Sequence, residues 1–529
     1  MSESGASPRA SSPARSIAGA AALIAAGNIA SRVFGQIRES VISGLFGATS
    51  GVEAGAYALA ARVPTTLYDF IVGGLVSAAL VPVFAELAER DQDELGVVAG
   101  TVFTVATLLA VLIAGLAWLF APGIGALLTL RAGPGPLRDT TISLIRWMLP
   151  ATVLMASSGL ITGLLQARRQ FLLPAFATTV FNVGIIAGAW LFHHWIGVRS
   201  LAIGMILGAA MQVLLQTPGL RGTPLRAGLH VGHAAVARIG HLYLPVLLGL
   251  SFALVGTLVD AALASDLLRG AAAAVMRYAT TLIQLALGII ASAVSLAALP
   301  TLSRQGADST DLGEYRRTLS LTLQVVMLLI IPATAGLAAL ARPVVVLLFQ
   351  HGEFGPNDTS ITVLALLFYL PSLIAAAIDQ PLIFAFYARK NTLLPNLVNG
   401  VAIVTYLLVA FGTVGRLGIN GLILANGMQW GIHAVLMLWF SHRRLGAIQG
   451  QGLGRALLKG GIAGTLAGGA AYASITLPGW TVVDKAEALR ALLVGGPVLL
   501  LAYGMLAYGL RIEALALLTG GLRRRLGRT

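Results

Sequence analysis

Three charged residues interrupt an otherwise apolar opening stretch. Residues 17–47 read IAGAAALIAAGNIASRVFGQIRESVISGLFG, in which Arg32, Arg38 and Glu39 carry the charge. An arginine at the centre of a membrane helix costs roughly 2.5–3.5 kcal/mol on insertion scales, so its guanidinium must face protein or water. Six helical residues set Arg32 and Arg38 about 9 Å apart along the axis and about 120° apart in rotation. Both can therefore border one cavity. A guanidinium presents parallel N–H donors to phosphate oxygens, so the pair suits a diphosphate. The competing reading is a structural ion pair between Arg38 and an acid such as Glu39 or Asp69. Arg62 lies two turns before Asp69 on a similar face and is expected to pair with it. Asp260, in LVDAALAS, is a hydrogen-bonded intramembrane acid or a candidate ligand for a monovalent coupling cation. Arg146 and Arg342 fall near the ends of apolar stretches and are expected to reach the interface.

Other chemistries have no residues to carry them. The chain has no cysteine, which removes thiol chemistry, disulfides and Cys–Zn sites. The eight histidines show no metal-ligand spacing. No Walker A motif, Ser-His-Asp arrangement or catalytic carboxylate pair occurs, so the chain reads as a transporter, not an enzyme, with no cofactor.

The elements that must position these charges are membrane helices. Of 529 residues, 57% are hydrophobic and 11% charged, with a mean hydropathy of +0.85; soluble domains carry about 25% charged residues. Fourteen apolar stretches, each near the roughly 20 residues a bilayer crossing needs, run at 17–45, 54–86, 97–121, 139–166, 171–193, 200–218, 241–263, 271–301, 318–348, 360–387, 394–414, 418–440, 454–476 and 488–510. With a cytoplasmic N-terminus, 22 of the 35 lysines and arginines fall on the cytoplasmic side and 7 outside, charges at the edges of the last two spans counted with the nearer side. That asymmetry follows the positive-inside rule and places both termini in the cytoplasm. It also explains the net charge of +14 without nucleic acid. Residues 1–16 are polar and expected to be disordered, and 513–529 form a basic tail whose Arg523, Arg524 and Arg525 suit an anionic lipid surface.

The sequence repeats. ARRQFLLP at 167–174 matches ARKNTLLP at 388–395, an offset of 221, and SAALVP at 77–82 matches SLAALP at 295–300, an offset of 218. Such a period holds six spans, and an even number of crossings preserves topology, giving parallel repeats about an axis along the membrane normal. The expected fold is an all-α polytopic membrane protein: an N-lobe over 17–220, a C-lobe over 238–445 and two further helices over 452–512. Sites in such transporters lie near the midplane between lobes.

The segment SRVFGQIRESVISGLFGA (31–48) resembles the opening signature of the MurJ (MviN) flippases. Similarity recurs in VPVFAEL (81–87), QFLLPAFATTVFN (170–182), LVDAALAS (258–265), LLFQHGEFGPND (347–358) and FYARKNTLLP (386–395). The resemblance implies a fourteen-helix fold of the multidrug/oligosaccharidyl-lipid/polysaccharide exporter superfamily. It implies translocation of lipid II, the undecaprenyl-diphosphate-linked peptidoglycan precursor, across the bacterial cytoplasmic membrane. Arg32 and Arg38 match the helix-one arginines that line the family's cavity, and Glu53 is a candidate for the acid that follows FGA. The pattern departs at VPTTLYDFIVGGLVS (63–77), where Asp69 stands at an expected arginine and Gly73 at an expected acid. It departs again at RYATT (277–281), with Thr281 at an arginine position; Arg277, one turn earlier on the same face, can substitute as a third diphosphate ligand. Glu39, Glu53, Arg62 and Asp69 are then cavity or gate charges. The implied partners are a lipid-linked glycan, membrane lipids, and a monovalent coupling ion or the membrane potential. The alternatives are an exporter of another lipid-linked glycan or amphiphile, and a membrane scaffold that does not transport.

Overall fold

The computed structural model describes residues 13–307, 312–389, 391–446, 452–512 and 515. Most of the expected disordered N-terminus and of the basic tail lie outside the described residues. Where the first expectation can be compared, at 13–16, helix replaces irregular chain. The first helix, α1 (Pro13–Phe46), begins at a proline, whose missing N–H is no loss at the first helical position.

No strand occurs among the described residues. In lipid, each backbone polar group must bond within its own segment, which helices achieve. After α1 come α2, a nearly unbroken helical run over 53–90, α3 (Gln92–Leu119), α4 (Pro136–Ala167), α5 (Leu172–Ile196) and α6 (Arg199–Gln216). The second set is α7 (Ala234–Ala264), α8 over 272–307, α9 (Gly313–Ala339), α10 (Pro356–Ala388), α11 (Leu393–Leu417) and α12 (Ile419–Phe440). Then follow α13 (Leu453–Thr476) and α14 (Lys485–Gly509). Ten described helices are long and apolar enough to cross a membrane.

The repeat extends to the backbone. Helices α3, α4 and α5 begin 220 or 221 residues before α9, α10 and α11. The short helix Ala121–Leu128 after α3 recurs as Ala341–Phe349 after α9. A π-helical turn at Asp69–Gly73 in α2 returns at Gly288–Ser292 in α8. Helices α5 and α11 both stop at a left-handed glycine, Gly197 and Gly418, each with φ +56°, a conformation in which a side chain would be strained. Prolines Pro150 and Pro371 sit inside α4 and α10, 221 residues apart. Two six-helix repeats of parallel topology form the body.

Small residues let the helices approach. Gly184 faces Gly208, and Gly188 faces Gly204, across the α5–α6 pair, where an added Cβ would enter the partner backbone. Such close approach is a standard means of joining helices in lipid, where apolar burial gives no drive between them. On α13, Gly464 and Gly468 fit against Ile331 and Ala335 of α9, and a Cβ at Gly464 would lie 2.6 Å from Ile331 Cγ2. That stripe seats the last two helices on the second repeat.

Candidate substrate-binding site

The charges of α1 meet α8 of the other repeat. Glu39 is fully buried, with 0% of its side chain exposed. Its carboxylate accepts from Arg38 Nε at 3.0 Å and NH2 at 2.6 Å, and from Arg277 Nε and NH2, both at 2.8 Å. The Arg277 guanidinium also stacks 4.7 Å from the Tyr57 ring centre. Arg38 NH1 donates to Asn182 Oδ1 of α5 at 2.8 Å. Nearer the middle of α1, Arg32 NH1 donates to the Gln284 backbone carbonyl at 3.0 Å and to its Oε1 at 3.2 Å. Gly288 makes room, since a Cβ there would stand 2.8 Å from Arg32 Cζ. Three guanidiniums and one carboxylate leave two positive charges at the junction of the repeats. Arg38 and Arg277 keep 21% and 22% of their side chains exposed.

Beyond this cluster α1 is closed onto the second repeat. Ser40 Oγ donates to the Leu348 carbonyl. Glu353 N donates to Gly44 O at 3.0 Å, and Tyr278 OH to Gly47 O at 3.0 Å. Asp358, at the start of α10, accepts from Ala48 N at 3.3 Å and Thr49 N at 3.0 Å. Tyr278, Phe349 and Phe354 pack behind them with ring centres 5.4–5.9 Å apart. This end of the inter-repeat space is sealed.

The remaining charges are distributed differently from the sequence expectation. Arg62 pairs with Asp260, at 2.8 Å, rather than with Asp69. Seven helical residues span about 10.5 Å along the axis, and side chains on one helix meet at spacings of three or four, so Arg62 reaches across to α7 instead. Arg62 also donates to Thr257 O at 3.1 Å. Tyr406 OH of α11 donates to Asp260 at 3.0 Å. The Asp260 carboxylate, a candidate cation ligand, is thus already matched by a guanidinium. Asp69 is exposed, forms no ion pair with a described residue, and folds back over Gly73 of its own turn. Glu53 stands apart from the α1 arginines, lining a cavity of about 680 Å³ with Asp139, Arg199 and Glu353. Arg146 covers the Trp118 ring at 5.0 Å, and Arg342 donates to Val482 O at 2.9 Å. Among the described residues no three or more His, Asp or Glu side chains gather as they would around a metal ion.

Sequence reasoning missed Asn182, Gln284, Tyr57 and Tyr406. Each is a polar side chain in an apolar stretch, a signal available in the sequence; the partner of each depends on how helices cross.

Two facing repeats joined over a net-positive polar centre define a multi-pass transporter. Among solved structures, an inward-facing multidrug resistance MATE family transporter of the MOP superfamily superposes with a TM-score of 0.66 over 79% of this chain and 96% of its own, at 15% identity. A structure titled lipid II flippase MurJ, inward closed conformation, gives 0.76 over 92% and 99%, at 21% identity. In sequence, residues 42–488 match the family described as lipid II flippase MurJ. The lipid II flippase MurJ of Burkholderia cenocepacia is 31% identical over 438 residues, covering 79% of this chain and 82% of that protein. The probable lipid II flippase MurJ of Vibrio cholerae is 29% identical over 78% and 81%. The chain belongs to the MurJ family.

Proposed function

We propose that this protein moves lipid II from the inner to the outer leaflet of the bacterial cytoplasmic membrane, for cell-wall synthesis, by alternating access of two lobes at 17–220 and 238–445. The observation that carries this reading is the excess of two positive charges where α1 meets α8, in a chain of the MurJ family. Family membership favours lipid II over another lipid-linked glycan or amphiphile, and over a scaffold role.

Arg32, Arg38 and Arg277 are the diphosphate ligands in this reading. Glu39 is the internal competitor: it occupies the planar edges of Arg38 and Arg277 while the cavity is empty. A diphosphate offers more oxygens and more charge, so its arrival draws both guanidiniums from Glu39 and loosens the seal beside it. The polar head then crosses inside the cavity while the polyprenyl tail stays in lipid. The end of α1 near Thr49 faces the outside, both termini face the cytoplasm, and a monovalent ion or the membrane potential supplies directionality.

The test is Arg38→Ala in proteoliposomes carrying labelled lipid II. Transport is lost while protein insertion and yield stay normal, and Arg38→Lys restores part of it, since an ammonium lacks the planar two-point contact. Undiminished transport by Arg38→Ala overturns the assignment.

A further inference from the structure

A buried acid–histidine pair lies in the second repeat, away from the arginines. Asp379 of α10 has 0% of its side chain exposed and His433 of α12 has 8%, with His433 Nδ1 2.7 Å from Asp379 Oδ2. They border a cavity of about 230 Å³ lined also by Tyr387, Pro395, Asn396, Asn399, Gln429 and Trp430. We propose that Asp379 and His433 form a proton-binding site whose loading sets the packing of α11 and α12 against α10.

The placement of the two ring nitrogens carries the proposal. Nδ1 faces the carboxylate, and Nε2 faces the Pro395 carbonyl oxygen at 3.4 Å. Both neighbours are acceptors. A neutral imidazole has one N–H and one lone pair, so it would turn a lone pair onto one of those oxygens. An imidazolium carries a proton on each nitrogen and, in a 2.7 Å charge contact with the carboxylate that is not aligned as a hydrogen bond, leaves the buried site without net charge. Both carboxylate oxygens of Asp379 are buried and make no hydrogen bond with a described residue, so the carboxylate has unused acceptor capacity. Removing the proton leaves a buried carboxylate charge with no compensating cation, a state that buried sites avoid. More water is then drawn into the cavity to solvate that charge, and the packing of the helices that line it loosens.

The surroundings favour a proton over a larger ligand. Tyr387 is the other titratable side chain lining the cavity. From α11 come Pro395, Asn396 and Asn399, and from α12 Gln429 and Trp430; no lining residue comes from α8 or α9, which also pack on α10. No fixed cation or second acid competes for the pair among these residues. Asn396 and Tyr387 are exposed at the mouth, near the turn that joins α10 to α11, and provide a polar route for the proton. Two residues beyond Asp379, Pro381 lacks the N–H that would bond the Ala377 carbonyl, so α10 is locally easier to bend at this point.

The proposal rests on the transport reading only for what the proton drives, and its test uses no lipid II. The first measurement is the ¹⁵N spectrum of histidine-labelled full-length protein, with His433 assigned by comparison with His433→Gln. Both nitrogens of His433 are expected to be protonated at the acid end of a pH series and one to lose its proton as the pH is raised. The second uses the cysteine-free chain with Asn399→Cys on the cavity wall. Its reactivity, relative to an exposed cysteine at Ser50, is expected to rise several-fold as the site empties, and Asp379→Asn abolishes that rise. A His433 that stays neutral throughout overturns the proposal, as does a cavity cysteine whose relative reactivity ignores pH or keeps its pH dependence in Asp379→Asn. If Asp379→Asn does not fold, the titration of the unmodified protein decides.

Discussion

Glu39→Gln is the sharpest perturbation of the sealed end. The carboxylate accepts four hydrogen bonds from two guanidiniums at 2.6–3.0 Å. An amide of the same shape keeps one acceptor oxygen and turns an NH₂ group towards donors, so about half the bonds and the whole charge are lost. Removing one partner of a fully buried ion pair costs about 3–5 kcal/mol. Arg38 and Arg277 retain 21% and 22% exposure, and water recovers part of the loss, leaving about 2–3 kcal/mol. Because Arg277 is on α8 and Glu39 on α1, that energy bears on closure between the repeats as well as on folding. A shift of this size changes the closed-to-open ratio by roughly 30- to 150-fold. The assay is labelling of a single cysteine at Ser43, a position with 0% exposure in the sealed state, by an impermeant thiol reagent in intact cells. Labelling is expected to rise towards that factor in Glu39→Gln at normal protein level. An unchanged labelling rate would refute the view that Glu39 holds this end shut.

Four further expectations can be measured. Arg62→Ala strands Asp260 and lowers stability by about 1–3 kcal/mol after allowance for the pair's partial exposure; Arg62→Ala with Asp260→Ala recovers much of it, and thermal unfolding in detergent gives the coupling. Asp69→Ala, at an exposed site without an ion pair, changes stability by no more than about 0.5 kcal/mol in the same assay. Burial, and after it the Lys485 charge, holds the His351 imidazole below its ordinary 6.5. The folded state therefore binds fewer protons than the unfolded one, and stability falls as pH drops below about 6.5; His351→Gln should flatten the pH dependence of the thermal midpoint. Cysteines placed at Ser50 and Asn357 should label in intact cells and one at Ser309 should not, which fixes the orientation; labelling at Ser309 alone inverts it.

Family, class and repeat were all legible in the sequence, because each rests on local or periodic properties. Apolar length sets where helices cross, and the two matched segments with their prolines already carried the period that the helix ends and the π-helical turns repeat. The arginines of α1 were legible for the same reason: charge within an apolar run is conspicuous without knowing its neighbours. Their partners were not. Glu39 is adjacent to Arg38 in sequence, yet its second guanidinium comes from Arg277, 238 positions away, and Asp260 takes Arg62 from another repeat rather than leaving it to Asp69. Asp379 and His433 are 54 positions apart on different helices, and neither has a sequence neighbour that signals the other. Which charges meet is decided by how helices cross and rotate against one another. In a medium that leaves no polar group unpartnered without cost, that packing is a property of the whole bundle and of no single segment.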